Sequence, residues 1–177
     1  LFAGCSGGET NTASSGGDAA SSEEGDIVIG GLAPLTGDVS IYGIAASNGS
    51  KLYIDQLNAN GGINGRQVKF VLEDEKGDPV EAVNAFNKLV ENDKIVALIG
   101  DVTSTPSLAV APEAVNKKIP MITPTGTAAD ITLAGDSVFR ACFLDPFQSD
   151  YLGKFIAEEL GIKKAAALYL NGDAYSM

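Results

Sequence analysis

The sequence IVIGGLAPLTG, residues 27–37, decides the fold. Its first six residues form a short apolar run, which is typical of a β-strand buried on both faces of a sheet. A turn containing glycine and threonine follows, and residues 43–60 then carry apolar side chains at helical spacing until Gly61-Gly62 ends the pattern. We therefore predict that the ordered part of the chain opens with a strand, a turn and a helix.

The same alternation repeats along the rest of the chain. Further strands are predicted at residues 67–72, 95–99, 120–122, 137–140 and 165–170. Continuous apolar strands separated by helices favour an α/β fold, with a parallel, doubly wound sheet covered on both faces. The crossovers between its strands should be right-handed.

Three helices after the first are predicted from their start and stop signals. The second has a capping carboxylate at Asp78, a proline at its first position and Glu81 three residues after the cap. The third opens at residues 103–106, and Pro112 should kink it or force an irregular turn. The last is predicted over residues 150–160.

Composition excludes several classes of function. The 177 residues carry a formal net charge of −11, so a nucleic-acid partner is not expected, because no basic stripe could displace counterions from phosphate. There is no histidine, which removes Ser-His-Asp and Cys-His catalysis. Dinucleotide, P-loop and nucleophile-elbow motifs do not occur. No enzymatic activity, cofactor or metal site is therefore predicted.

The N-terminal residues resemble an anchor and its tether. Residues 6–25 are almost all small or polar and are predicted to be disordered. Residues 1–5, Leu-Phe-Ala-Gly-Cys, resemble the lipobox of bacterial lipoproteins, although Phe2 stands where leucine is usual. Cys5 would then carry the lipid, and the alternative is a buried or free thiol at a frayed terminus. No run approaches the 18 or so apolar residues of a membrane span.

The loops that follow the predicted strands are rich in hydroxyl groups and glycine. In open parallel sheets, ligands lie at the carboxyl ends of the strands. The loops at residues 33–37, 100–105, 123–127 and 171–175 lack clustered acid and base groups, but two aromatic residues lie in or beside them. This composition predicts a hydrogen-bonding pocket for a small polar or zwitterionic molecule.

Three further features carry alternatives. Ser104 is interpreted either as a helix N-cap or as a hydroxyl beside a helix N-terminus that attracts a carboxylate. The acidic run at residues 73–75 would suggest magnesium only if carboxylates also followed the first strand; none does, so a solvated loop is predicted. Cys142 has no expected disulfide partner and is predicted to be a small buried residue.

Several short segments, in order, resemble one family. They include residues 33–37 with Tyr42-Gly43, residues 60–66, Asp78-Pro79, residues 109–112 with 119–124, residues 138–140, and residues 173–175. From Asp26 to Tyr175 the chain resembles the solute-binding subunit of branched-chain amino-acid ABC importers, which has the type I periplasmic-binding-protein fold. The resemblance implies a flavodoxin-like strand order and two lobes that close on an amino acid.

The resemblance also implies ligand contacts at Tyr42, Ser104, Thr125, Gly126, Thr127 and Tyr175. Ser104 would hold the ligand carboxylate, and Thr127 would bond the ligand's backbone groups. Thr125 would offer its main chain, with the carbonyl facing the ammonium. Tyr42 would line the side-chain pocket, and Tyr175 would reach across from the second lobe. The acidic residue expected to pair with the ammonium is not in these 177 residues.

Organisation and partners are implied in the same way. Residues 26–142 would be the first lobe and 143–177 the start of a truncated second lobe. The protein would lie outside the cytoplasm, lipid-anchored or periplasmic, and deliver its ligand to a permease and its ATPase subunits. An extracellular sensing domain, or a binder of amides or urea-like solutes, is the alternative. Without the rest of both lobes, we expect weak stability and weak binding.

Overall fold

The computed structural model describes residues 25–176. The predictions for Cys5, the lipobox and nearly all of the tether lie outside these residues. The elements, in chain order, are β1 (Ile27–Ala33), α1 (Ser40–Ala59), β2 (Val68–Asp74), α2 (Pro79–Glu91), β3 (Ala97–Ile99), α3 (Ser104–Asn116), β4 (Met121–Thr123), a 3₁₀ helix (Ala129–Ala134), β5 (Val138–Arg140), α4 (Asp145–Lys154) and a π-helical turn (Phe155–Glu159).

The five strands form one parallel sheet in the order β2-β1-β3-β4-β5. The predicted α/β fold and flavodoxin-like order are confirmed. The order reverses at β1, so the loops after β1 and β3 flank the place where α/β sheets bind ligands. All five strands end at the same edge, which brings the loops after them together.

Helices cover both faces of the sheet. On one face α2 and α3 pack with the strands into a buried cluster that includes Leu32, Phe86, Leu98, Val110 and Met121. Successive strand residues point to opposite faces. The other face therefore carries the neighbours of these strand residues, and α1 packs there over β1 and β2. Beyond β3 this second face is more open, with Ile122 and Phe139 exposed.

The start of α2 is as predicted. The Asp78 side chain accepts hydrogen bonds from the backbone N–H groups of Val80 and Glu81, and Pro79 is the first helical residue. The helix buries Ala82, Phe86 and Leu89 against the sheet, at the spacing that the sequence shows.

Two predictions of local structure are wrong, and a third is wrong in one of its two alternatives. Residues 165–170 form no strand and are exposed, because no neighbouring strand accepts their backbone hydrogen bonds among the residues described. The last helix begins at Asp145, where Pro146 lies in its first turn, rather than at Asp150. Helix α3 continues through Pro112, so the alternative of an irregular turn is wrong, while the kink stays a prediction.

The segment after β5, residues 143–176, lies on the protein surface. No residue between 143 and 176 is buried. This low burial is compatible with the predicted boundary near residue 142, which stays a prediction. Within residues 25–176, none of the helices combines the length and the apolar character needed to cross a bilayer.

Candidate functional site

A cavity of about 590 Å³ opens at the carboxyl edge of the sheet. Its volume is in the range of small-molecule sites. The walls come from the loops or helix starts that follow β1, β2, β3 and β4 and from the segment after β5. They include five of the six residues predicted to contact ligand: Tyr42, Ser104, Thr125, Thr127 and Tyr175. The exception is Gly126.

Ser104 is the first residue of α3 and is 3% exposed. Its Oγ accepts a hydrogen bond from Ala128 N at 3.3 Å, which links α3 to the loop after β4. The N-cap position belongs to Thr103, which makes no side-chain capping bond. The N-cap interpretation of Ser104 is therefore wrong, and its hydroxyl lies beside the first turn of a helix whose initial N–H groups lack intrahelical acceptors.

The Thr127 hydroxyl is a buried polar group without a partner. The residue is 6% exposed, and Oγ1 makes no hydrogen bond, while its carbonyl accepts one from Asp145 N at 3.2 Å. Buried hydroxyls are nearly always hydrogen-bonded, since leaving one unsatisfied costs about 1–3 kcal/mol. Because Thr127 lines the cavity, its unpartnered hydroxyl is a candidate group for binding a ligand.

Thr125 and Gly126 shape the loop after β4. The Thr125 hydroxyl donates to the Val102 carbonyl and so joins the loop after β4 to the loop after β3. Gly126 N donates to Thr123 Oγ1 at 2.9 Å, and a Cβ added to Gly126 would come within 2.6 Å of the same oxygen. The Gly126 carbonyl accepts from the guanidinium of Arg140. Gly126 thus supports the loop from behind rather than facing the cavity.

Arg140 fixes the loop after β4 from the end of β5. Besides Gly126, its guanidinium donates to the carbonyls of Ala128 and Ala129, at 2.8 and 3.2 Å. The sequence analysis noted residues 138–140 only as part of a resemblance and gave Arg140 no role. A charged residue at the carboxyl end of a predicted strand was the available signal.

The two tyrosines on the cavity wall come from distant parts of the chain. Tyr42, in the first turn of α1, and Tyr175, near the end of the chain, are each more than half exposed. Tyr175 is held near the cavity by its neighbours, because Thr105 Oγ1 donates to Asp173 Oδ1 and accepts from Ala174 N, both at 3.0 Å.

Asp173 is the charged residue on the cavity wall. Partial burial would raise the pKa of its carboxyl, but hydrogen bonds from Ser176, Thr105 and the backbone outweigh burial and hold it below its ordinary value. Asp173 is therefore ionised at neutral pH. Its role in holding the segment was not predicted, although it lies in a quoted family segment.

The acidic run at residues 73–75 is not a solvated loop, since Glu73 and Asp74 belong to β2 and Glu75 follows it. Asp74 Oδ1 and Oδ2 accept from Leu35 N, Thr36 N, Thr36 Oγ1 and Lys76 N at 2.7–3.3 Å. Burial alone would raise the pKa of Asp74, yet these bonds keep it lowered. Glu75 is completely buried, and burial raises its pKa to about 7. The prediction of a solvated loop is wrong for Glu75.

Asp101, which follows β3, is also completely buried. Burial raises the pKa of its carboxyl well above the usual range, and the nearby charge of Glu75 adds to the rise. Sequence reasoning gave Asp101 no role. A lone aspartate between glycine and valine at the end of an apolar strand was the only signal.

Cys142 is half-buried rather than buried, and its Sγ lies 3.4 Å from the Gly126 carbonyl. Burial raises the pKa of the thiol, so it stays protonated at neutral pH. Within the described range 25–176, no group of three or more Cys, Asp or Glu side chains is arranged to hold a metal ion.

The sequence profile of a family described as periplasmic binding protein matches residues 26–176. This chain belongs to that family. Among curated periplasmic binding proteins, it is 38% identical over 148 residues to the Leu/Ile/Val-binding protein BraC3 of Rhizobium johnstonii, covering 83% of this chain and 40% of that protein. It is 38% identical over 137 residues to a leucine-, isoleucine-, valine-, threonine- and alanine-binding protein of Pseudomonas aeruginosa, covering 77% and 36%.

Solved structures of substrate-binding and solute-binding proteins are also similar to this chain. LivJ of Streptococcus pneumoniae, a branched-chain amino acid transporter substrate-binding protein in complex with isoleucine, is similar with a TM-score of 0.74 and 32% identity, over 77% of this chain and 39% of that one. A solute-binding protein from Rhodopseudomonas palustris BisB5, in complex with 3,4-dihydroxybenzoic acid, has a TM-score of 0.77 and 27% identity, over 85% and 40%. The chain thus spans about two fifths of the length of these relatives.

Proposed function

We propose that this chain supplies one wall of the binding site of a solute-binding protein that serves an ABC importer, and that the solute is a small amino acid, branched-chain first. The protein captures its ligand reversibly and performs no chemistry. The unpartnered Thr127 hydroxyl beside Ser104 carries the proposal. A buried group that lacks a bond in the free protein gains one when ligand binds.

The geometry suits the two ends of an amino acid. The start of α3 offers Ser104 and backbone N–H groups, which favour a carboxylate. The remaining walls include Val39, Tyr42, Phe143, Leu170 and Tyr175, so they suit an apolar side chain. No basic side chain lies on the wall, which disfavours ligands with a second negative charge.

An aromatic acid is the second candidate. The Rhodopseudomonas relative with a TM-score of 0.77 contains 3,4-dihydroxybenzoic acid. Tyr42, Phe143 and Tyr175 line the cavity here and could pack against an aromatic ring. Both candidates share the carboxylate, so the same residues would bind it.

Calorimetry tests the proposal on this chain and on any longer product of the same gene. Leucine, isoleucine, valine and benzoate are titrated into wild-type protein and into Ser104→Ala. We expect binding of one class and a loss of about tenfold or more in the variant, the effect of one charge-assisted hydrogen bond. Ser50→Ala is the control, because Ser50 bonds only its own helix carbonyl at Ala46.

Two results would overturn the proposal: no binding of any of the four compounds by a protein that contains both lobes, or equal affinity in wild type and Ser104→Ala. The sensing alternative predicts the same binding but a different partner. Permease and ATPase genes beside this gene would support import, whereas a kinase gene would support sensing.

We further propose that the protein lies outside the cytoplasm, anchored by a lipid on Cys5. The support is the resemblance of residues 1–5 to a lipobox and the polar composition of residues 6–25. Mass spectrometry of the N-terminal peptide from cells tests it. An acylated cysteine is expected in wild type, and its absence would refute the anchor without affecting the binding proposal.

A further inference from the structure

Two carboxyl groups at the edge of the sheet are completely buried and incompletely bonded. Glu75 follows β2, and Asp101 lies two residues after β3. Each has one oxygen without a hydrogen-bond partner, Glu75 Oε1 and Asp101 Oδ2. An ionised carboxylate that is buried with an unbonded oxygen strongly destabilises the folded protein. Because the charges of Glu75 and Asp101 also repel each other, the folded protein needs something that reduces this charge.

Asp101 joins the two loops that carry the buried hydroxyls of the cavity. Its Oδ1 accepts from Thr103 N at 3.1 Å, at the start of α3. Its carbonyl accepts from Ser107 Oγ at 2.9 Å and from Thr123 Oγ1 at 2.6 Å. Thr123 Oγ1 in turn accepts from Gly126 N at 2.9 Å. A displacement of Asp101 would therefore move both loops.

Glu75 is bonded to the part of the cavity wall that follows β2. Its Oε2 accepts from Gly77 N at 2.6 Å, its carbonyl accepts from Asp78 N at 2.9 Å, and its own N–H donates to the Ala33 carbonyl at 3.2 Å. Gly77 is itself part of the cavity wall. The two carboxyl groups thus hold Gly77 in the loop after β2 and Thr103 in the loop after β3, and the backbones of Glu75 and Asp101 bond to Ala33 at the end of β1 and to Thr123 at the end of β4.

The charged groups around the pair are mostly of the same sign. Asp74 and Asp78 flank Glu75 and oppose its ionisation, and Glu75 opposes that of Asp101. The ammonium of Lys76 lies 3.8 Å from a carboxylate oxygen of Glu81 on α2. Burial is the largest cause of the raised pKa at both carboxyls, and like charge adds to it.

We propose that Glu75 and Asp101 hold at least one proton between them at neutral pH, and that Asp101 in this neutral pair is a positioning residue for the binding loops. The second part rests on the proposed function. A proton bound to Glu75 Oε1 or Asp101 Oδ2 converts that unpartnered acceptor oxygen into a hydrogen-bond donor. When both groups ionise, repulsion acts on the carboxyl that holds Thr103 N, and fewer molecules keep the binding loops in place.

The first test is unfolding by urea without ligand. An acid whose pKa rises on folding binds more protons in the folded state, so stability falls as pH rises from its ordinary value through the raised one. The urea midpoint of the wild type should therefore fall between about pH 5 and about pH 8. In Asp101→Asn the fall should be clearly smaller, because asparagine does not titrate and one of the two carboxyls with a raised pKa is lost. Asparagine keeps the acceptor for Thr103 N, so the variant should still fold.

Glu75→Gln gives the same test if Asp101→Asn does not fold. Asp55→Asn is the matched control, since Asp55 is an exposed carboxylate paired with Lys51 on α1 and its loss should leave the slope unchanged. A wild-type midpoint that is constant or rises over this range would overturn the shared proton. So would recovery of the midpoint at high pH on adding Na⁺ or Ca²⁺, which would assign the site to a cation.

The second test is leucine affinity over the same pH range. We expect the wild-type Kd to weaken about tenfold toward high pH, the change that one unit of pKa produces, and that of Asp101→Asn to change less than about threefold. Equal pH profiles in both proteins would overturn the positioning role. If leucine binds at no pH while the urea midpoint falls as expected, the proton held by Glu75 and Asp101 is supported. The positioning role of Asp101 is then refuted together with the proposed function.

Discussion

Replacing Thr127 by valine should make the free protein more stable and the ligand complex weaker. Valine keeps the shape of threonine and exchanges the hydroxyl for a methyl group. The Thr127 hydroxyl is buried and unbonded in the free protein, and the backbone bond from Asp145 N to the Thr127 carbonyl is unaffected by the change. The substitution should therefore raise the stability of the free protein and lower its affinity for ligand.

The magnitudes follow from that missing bond. An unsatisfied buried hydroxyl costs about 1–3 kcal/mol, and since Thr127 lines an open cavity we take the low end, about 1 kcal/mol. For a chain of this size that raises the melting temperature by about 2–4 °C. A ligand loses one hydrogen bond to a charged group, about 1.5–3 kcal/mol, which weakens Kd roughly 10- to 100-fold.

Urea unfolding without ligand and calorimetry with leucine measure the two quantities. Thr125→Val is the matched control: the same atoms change, but the Thr125 hydroxyl already donates to the Val102 carbonyl, so stability should fall by about 1 kcal/mol. If Thr127→Val destabilised the free protein as much as Thr125→Val does, with unchanged leucine affinity, the assignment of the Thr127 hydroxyl as a binding group would be refuted.

Three further substitutions test the supports of the site by urea or thermal unfolding. Gly43→Ala should lower the free energy of unfolding by about 2 kcal/mol or more, because the added Cβ would lie 1.9 Å from the Pro34 carbonyl oxygen. The control is Gly49→Ala on the same helix, whose Cβ meets nothing within 4 Å and which should gain about 0.5–1 kcal/mol in stability. An equal gain in both variants would contradict this reasoning. Arg140→Lys should cost about 1–3 kcal/mol, since an ammonium cannot reproduce the fork that holds three carbonyls, and an unchanged midpoint would count against that role. Asp78→Ala should cost about 1 kcal/mol through loss of the N-cap, and a loss below a few tenths would show that the cap contributes little.

The parallel sheet could be predicted from sequence because its signals are local, whereas the strand order was implied by the family resemblance. Apolar runs mark the five strands, and the Asp78-Pro79 start marks α2 to the residue. The strand predicted at residues 165–170 shows the limit of local signals. Its apolar pattern is that of a strand, but a strand also needs a neighbour to accept its hydrogen bonds, and a pattern does not reveal the neighbour.

The site was predictable to the same extent. Hydroxyls at the ends of parallel strands must lie near one another, so the place of Ser104 and Thr127 followed from the fold. Their bonding did not, because it depends on contacts distant in sequence, such as that between Ser104 and Ala128. Glu75 was misjudged for this reason, since an acidic run normally predicts solvent and only the packed structure shows one carboxyl inside.

The four hydrogen bonds of Asp74 have a consequence for how this scaffold could diversify. Three of them hold the turn at Leu35 and Thr36 from a strand outside that turn. These bonds do not involve the exposed side chains that follow the turn, such as that of Tyr42. Mutation could exchange those side chains one at a time, altering which solute is preferred while the backbone beneath them is inherited unchanged.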